Sequence, residues 1–206
     1  LQTPRVRLHW QHARIWRPAA PRPRLPAATI AERLRQAEWL LALRRATHRN
    51  VIDGAAASTV ATLRSACVVL DAARARELAA RLIGWGEGLT PAGDDLLAGL
   101  LAGLDAPAPM QVQRRDFRAA MAATVLAQRL RTTAIAAHGL RLAAAGHHGA
   151  PLLELREALL EEPDPGAVDR ALHAALSIGA TSGADMVSGL LVALQAWAVP
   201  AGTDRQ

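Results

Sequence analysis

The sequence has no tyrosine and no lysine, and it contains one cysteine and one phenylalanine. A single cysteine, Cys67, excludes a disulfide within the chain and fits a reducing compartment. Because Cys67 lies in the apolar run SACVVL, we expect a buried structural thiol rather than a nucleophile. No apolar run reaches the roughly 20 residues of a membrane-spanning helix, and no segment has the pattern of a signal peptide. We therefore expect a cytoplasmic protein without a membrane partner.

The positive charge of the chain is carried by arginine alone. The net charge is +6, which is compatible with a nucleic-acid partner. Arginines are concentrated in the first 50 residues, where they oppose only Glu32 and Glu38, and the rest of the chain is slightly acidic. The use of arginine in every basic position indicates a compositional bias of the source. We favour a solvated basic arm over a nucleic-acid contact.

The composition predicts a mainly α-helical protein, because alanine, leucine and arginine dominate while valine, isoleucine, threonine and aromatic residues are sparse. We expect a helical bundle of seven to eight helices. The first 26 residues contain five prolines, which disfavour a helix. Residues 1–28 are therefore assigned to a Pro/Arg-rich arm or to the remnant of a small β subdomain, with short strands at 6–10 and 13–16. Residues 29–200 form the helical domain.

Helical periodicity and capping signals divide this domain into segments. Thr29 is a candidate N-cap for the first helix, Gly84 ends the third, and Thr90 is the candidate N-cap of the fourth with Pro91 as its first residue. A breaker follows at 105–109, and the PDPG turn separates two later helices. The predicted helices cover residues 29–48, 57–70, 71–83, 91–104, 112–145, 152–161, 167–178 and 182–199.

Two segments of the chain resemble each other. Residues 93–104 have the sequence GDDLLAGLLAGL and residues 183–194 have GADMVSGLLVAL. Each follows a threonine-containing turn, and Ser182 and Asp185 have the spacing of a capping box. Gly99 and Gly103 lie on one helical face, as do Gly189 and Ala193, and such small faces permit close helix approach. We therefore predict that the two helices cross near their starts, which would bring together Asp94, Asp95 and Asp185.

The turn before the fourth helix has the composition of an anion site. Gly84, Gly86, Gly88 and Gly93 fall within ten residues, and glycine permits close approach of a ligand to backbone N–H groups at a helix start. Asp94 and Asp95, which follow directly, could ligate Mg²⁺ bound to a phosphate or transfer a proton. A carboxylate in a first helical turn also stabilises the helix dipole, which accounts for one aspartate but not for two beside four glycines. No cofactor other than Mg²⁺ is indicated.

A second candidate element is Arg131, Thr132 and Thr133. Arginine grips a carboxylate or phosphate with two hydrogen bonds, and hydroxyls can complete such a site. A plain amphipathic helix face accounts for the three residues equally well. The seven histidines match no zinc pattern, and for pairs such as His147 and His148 we expect surface or capping roles.

The motif GWGEGLTPAGDDLLAG, residues 84–99, resembles the AllH-type subunit family of oxamate carbamoyltransferase. GATSGADM, residues 179–186, is similar to a second motif of that family, and RTTAIAAHGLRLAAAG, residues 131–146, to a threonine-rich helix start between them. The resemblance covers roughly residues 57–198. It implies a part in phosphorolysis of oxalurate to oxamate and carbamoyl phosphate in allantoin and purine breakdown, together with other subunits of the complex.

This resemblance and the residue chemistry lead to one set of site residues. We assign catalytic roles to Asp94, Asp95 and Thr90, with Asp94 and Asp95 as the candidate Mg²⁺ ligands. Anionic substrates, phosphate and carbamoyl compounds, would be bound by Gly86, Gly88, Gly93, Arg131, Thr132, Thr133, Ser182, Gly183 and Asp185. The alternatives are a non-catalytic anion-binding subunit, a helical scaffold and, least favoured, a nucleic-acid binder.

Overall fold

A computed structural model describes residues 11–12, 25–47, 55–106 and 112–198. These residues form nine α-helices and one 3₁₀ turn and contain no β-strand, which confirms the mainly α prediction with one or two more helices than expected. None of the helices in the described part is long and apolar enough to cross a membrane. The helices are α1 (Ala27–Thr47), α2 (Ala55–Val68), α3 (Ala72–Leu82), α4 (Ala92–Leu104), α5 (Val112–Gln128), the 3₁₀ turn (Arg129–Arg131), α6 (Ala134–Ala144), α7 (Ala150–Leu160), α8 (Ala167–Leu176) and α9 (Ser182–Ala198).

Helices α4 and α9 form the centre of the molecule. One hydrophobic core lies on the side of α2, α3, α5 and α6, and it takes Leu97 and Leu101 from α4 and Ala193 from α9. A second core lies on the side of α1, α7 and α8, and it takes Leu190 and Leu194 from α9. Both helices are apolar over most of their surface because both are packed on two sides.

The crossing of α4 and α9 is reciprocal. A Cβ atom on Gly99 would overlap the carbonyl oxygen of Met186, and a Cβ atom on Gly189 would overlap the carbonyl oxygen of Leu96. Only glycine lets the two backbones approach this closely. The predicted close crossing of the two similar helices is therefore confirmed.

The starts of the two central helices differ from the predicted caps. Pro91, with φ −52° and ψ 141°, is the N-cap of α4 and makes no side-chain capping bond. The prediction of Thr90 as N-cap was therefore wrong by one residue, since the Thr90 hydroxyl lies against Ser182 instead. The capping box of Ser182 and Asp185 was also wrong, because neither carboxylate oxygen of Asp185 accepts a hydrogen bond within the described residues.

The helix predicted over 112–145 is interrupted. Helix α5 ends at Gln128, a 3₁₀ turn follows, and Thr133 caps α6 by accepting a hydrogen bond from the Ala136 N–H at 3.1 Å. The threonine side chains provide a local alternative to helical hydrogen bonding. The strands predicted at 6–10 and 13–16 lie outside the described residues, as does most of the arm assigned to residues 1–28.

A charged cluster closes the carboxyl end of α4. The guanidinium of Arg118 donates to both Asp105 oxygens at 2.6 and 3.0 Å, and His148 Nε2 lies 2.7 Å from Asp105 Oδ2. Although burial opposes it, hydrogen bonds from His148 and Arg118 hold the pKa of Asp105 below its ordinary value. The surface or capping role expected for His148 was wrong, since its side chain is 4% exposed and packs between elements.

The prediction for Cys67 is confirmed. The thiol is fully buried in the core beside α3, and burial raises its pKa to about 12. A thiol with so high a pKa is not a nucleophile at neutral pH.

Candidate functional site

The turn between α3 and α4 requires glycine at several positions. Gly84, Gly86 and Gly88 have φ of 74°, 113° and 89°, which places all three in the region that L side chains rarely adopt. A Cβ atom on Gly84 would lie 2.6 Å from the Arg131 carbonyl oxygen. The Gly93 N–H donates to the Trp85 carbonyl at 2.9 Å and folds the turn back onto itself.

The turn presents backbone donors to its surroundings. Residues 86–89 are exposed, and within the described part of the chain their N–H groups donate no hydrogen bond to protein. Such a run of N–H groups ahead of a helix is suited to binding an anion. The anion site expected from the glycine spacing stays a prediction, and within the described residues the turn leaves these donors unpaired for it.

Asp94 holds this turn in place. Its side chain is buried, its Oδ1 accepts the Gly84 N–H at 3.0 Å, and its Oδ2 accepts the Thr132 hydroxyl. Burial raises the pKa of Asp94, and these two hydrogen bonds oppose the increase. The carboxylate thus joins the glycine turn to the segment before α6, and both of its oxygens are engaged.

Asp95 is directed to the start of α9. Burial raises the pKa of Asp95 to about 6, and the nearby Ser182 and Thr90 hydroxyls oppose the increase. The Thr90 and Ser182 hydroxyl oxygens lie 3.0 Å apart, so the two turns meet at this point. Asp95 Oδ2 is buried and has no hydrogen-bond partner in the described structure.

Asp185 is the most deeply buried of the three aspartates. It is 0% exposed, and neither of its carboxylate oxygens has a hydrogen-bond partner among the described residues. Burial raises the pKa of Asp185 to about 7; the charge of Arg45 opposes this increase and the Asp95 carboxylate adds to it. Asp95 and Asp185 are therefore electrostatically coupled across the helix pair.

Of the other predicted residues, some support the turn or the start of α9, and one lies away from the aspartates. Thr132 and Thr133 support the turn, since Thr132 donates to Asp94 and Thr133 donates to the Leu89 carbonyl. Gly183 packs against the Ala175 carbonyl oxygen at the end of α8. Arg131 is exposed, and its guanidinium donates to the Ala80 carbonyl at 3.0 Å, so it caps the end of α3 and is not brought to the aspartates.

The geometry gives no support to a Mg²⁺ ion shared by Asp94 and Asp95. Both oxygens of Asp94 accept hydrogen bonds from protein, and Asp95 faces a different set of groups. In the part of the chain that is described, no group of three or more histidine, cysteine, aspartate or glutamate side chains is arranged to hold a metal ion. The unpartnered oxygens instead lie on Asp95 and Asp185.

One charged neighbour of the site was missed by sequence reasoning. Arg45 of α1 was counted among the amino-terminal arginines, yet it acts on Asp185 and its guanidinium donates to the Ser188 hydroxyl one turn further along α9. No pattern in the sequence near Arg45 indicates this contact. The packing of α1 on α9 is what brings it to the site.

Comparison with known proteins identifies the family. Residues 82–194 match a family model described as oxamate carbamoyltransferase subunit AllH. The match covers more than half of the chain and includes both turns, all of α4 and most of α9, and the chain belongs to this family. No curated protein and no solved structure matches it.

Proposed function

We propose that this AllH-family chain contributes an active-site surface to a multisubunit carbamoyltransferase that phosphorolyses oxalurate to oxamate and carbamoyl phosphate, a step of allantoin breakdown. The family description supports a role as one subunit among others. The observation that carries the proposal is the meeting of the two motif turns, with the Thr90 and Ser182 hydroxyls 3.0 Å apart beside Asp95 and Asp185.

The anionic substrates suit the donors of the turn. Phosphate attacks the carbamoyl carbon, a carbon–oxygen bond forms, and the carbon–nitrogen bond to oxamate breaks. The attack builds negative charge on the carbamoyl oxygen, which fixed N–H donors stabilise. The exposed N–H groups of residues 86–89 are available for this role or for holding the phosphate.

The departing oxamate nitrogen must take up a proton. Asp95, whose pKa burial raises to about 6, exchanges protons readily near neutral pH. We assign proton movement to Asp95, substrate positioning to Thr90 and Ser182, and maintenance of the turn to Asp94 with Thr132. This division follows from the contacts of the two adjacent aspartates, because both oxygens of Asp94 accept hydrogen bonds whereas Asp95 Oδ2 accepts none within the described residues.

The test uses the chain assembled with the other subunits that co-purify with it. Carbamoyl phosphate is measured after oxalurate and phosphate are added. We expect Asp95→Asn to lower kcat by about 10²–10⁴-fold, the usual contribution of a proton-transfer group. Asp94→Asn is the matched control, because its amide can still accept the Gly84 N–H and donate to the Thr132 oxygen, and it should keep most of the activity.

Two other results would argue against the proposal. An unchanged kcat in Asp95→Asn with a raised KM would favour a non-catalytic anion-binding subunit. An assembled complex that forms no carbamoyl phosphate from oxalurate would contradict the activity itself.

A further inference from the structure

Three buried acceptor atoms lie at the start of the two central helices. Asp95 Oδ2 and both oxygens of Asp185 have no hydrogen-bond partner within the described residues. Buried polar atoms are nearly always paired in folded proteins, and those left unpaired at a site indicate a missing ligand or water. Asp185, at 0% exposure, has no bulk solvent to supply that partner.

The reciprocal crossing explains why these acceptors are adjacent. Asp95 precedes Gly99 by four residues, and Asp185 precedes Gly189 by four, so each carboxylate stands one helical turn before the point of backbone contact. The coulombic influence of Asp95 on Asp185 reflects this proximity. Asp95, Thr90 and Ser182 are half-buried, so the approach for a small ligand lies on their side of the pair.

The chemistry of the pair restricts the ligand. Two adjacent carboxylates repel a phosphate or a substrate carboxylate, and they accept hydrogen bonds from N–H groups. Arg45 already places one positive charge beside Asp185, and no group of three or more possible metal ligands lies among the described residues. A neutral group with two N–H donors can pair with two of these three acceptors without adding charge.

We infer that Asp95 and Asp185 bind the terminal NH₂ of a carbamoyl group, while the N–H groups of residues 86–89 hold the anionic end of the same molecule. This inference rests on the proposed function and assigns the residues that recognise the unsubstituted NH₂ shared by its carbamoyl compounds. Oδ2 of Asp95 is the unpartnered oxygen in the described structure and takes the NH₂, which leaves Oδ1 for the proton transfer of the proposed function.

Carbamoyl phosphate and acetyl phosphate test this assignment, because they differ only in NH₂ against CH₃. Their binding to the assembled complex is measured by titration calorimetry. We expect carbamoyl phosphate to bind at least about tenfold more tightly, because the methyl group of acetyl phosphate donates no hydrogen bond to Asp95 or Asp185. Asp185→Asn should remove this preference and leave the affinity for acetyl phosphate unchanged. Asp116→Asn, an exposed carboxylate on α5, should keep the preference.

The possible results separate the inference from the proposed function. Equal affinities in the native complex, or a preference that survives in both Asp185→Asn and Asp95→Asn, would overturn the NH₂ assignment while oxalurate phosphorolysis could stand. A preference for carbamoyl phosphate that requires Mg²⁺ would also overturn it and assign the pair to a cation. Binding of neither phosphate, together with no turnover of oxalurate, would contradict the proposed function. Circular dichroism of each variant verifies that the helices are retained.

Discussion

At the scale of single residues, two neighbouring aspartates have different tasks. Asp94 and Asp95 are adjacent in the first turn of α4, where successive side chains point about 100° apart. Asp94 therefore faces Gly84 and Thr132, and Asp95 faces the start of α9. The first has all its oxygens paired and the second does not, which is the physical basis for treating them differently.

Asp185 makes the stability of the protein depend on pH. Burial raises its pKa from 3.8 to about 7, so the folded state binds this proton more tightly than the unfolded chain does. The resulting stabilisation is complete below the ordinary pKa and is lost as the pH rises through about 7. Arg45 and Asp95 are the charged groups that act on it. Between pH 5 and pH 8, the native protein should therefore lose about 1–3 kcal/mol of its free energy of unfolding that Asp185→Asn does not lose.

Urea denaturation of both proteins at the two pH values measures this shift, and Asp116→Asn serves as the control that should show none. A difference between Asp185→Asn and the native protein that stays constant with pH would mean that Asp185 is ionised throughout this range.

At the scale of helices, small residues determine how the site is assembled. Gly99 and Gly189 allow α4 and α9 to touch through their backbones, and Gly93 and Gly183 allow the same helices to start against α3 and α8. Close backbone contact brings the first turns together, and with them the Thr90 and Ser182 hydroxyls. The site is therefore a consequence of the crossing rather than of either helix alone.

Gly99→Ala should separate the two helices. The added methyl group overlaps the Met186 carbonyl, which is backbone and cannot rotate away. We expect a loss of about 3 kcal/mol in the free energy of unfolding, at the upper end of the cost of overpacking. Gly139→Ala in α6 is the matched control, because a Cβ atom there meets no atom within 4 Å, and it should stabilise the helix by about 0.5–1 kcal/mol.

Thermal or urea unfolding of the two variants measures these changes in the free energy of unfolding. Equal stability of Gly99→Ala and Gly139→Ala would show that the helices do not cross at Gly99.

At the scale of the whole molecule, two cores share one pair of helices. The core beside α3 and the core beside α7 both take side chains from α4 and α9. Loss of either core exposes apolar faces of the shared helices and so weakens the other core. The cluster of Asp105, Arg118 and His148 adds a polar connection between α4, α5 and the segment before α7.

We expect the protein to unfold in one cooperative step for this reason. Trp39 lies on α1 and Trp85 lies in the glycine turn, so they report on opposite sides of the central pair. In two variants that keep Trp39 or Trp85 as the single tryptophan of the five in the chain, urea transitions followed by fluorescence should coincide with the transition followed by far-ultraviolet circular dichroism. Two separated transitions would mean that the cores fold independently and that the shared helices do not couple them.

The sequence by itself determined the mainly helical fold, the glycine turn, the small-residue crossing and the family. These features depend on residues close together in the chain: helical periodicity, glycine where φ is positive and glycines four residues apart can all be read locally. The motif at 84–99 pointed to the AllH family, which the match over residues 82–194 confirms.

Only the tertiary structure decided which side chains meet. Arg131 caps α3, Arg45 acts on Asp185, and His148 lies against Asp105, and none of these contacts has a local signal. Thr90 and Ser182 are 92 positions apart in the chain, so their contact depends on how α4 and α9 cross. The division between Asp94 and Asp95 has the same origin, because a one-residue step along a helix changes the neighbours that a side chain meets.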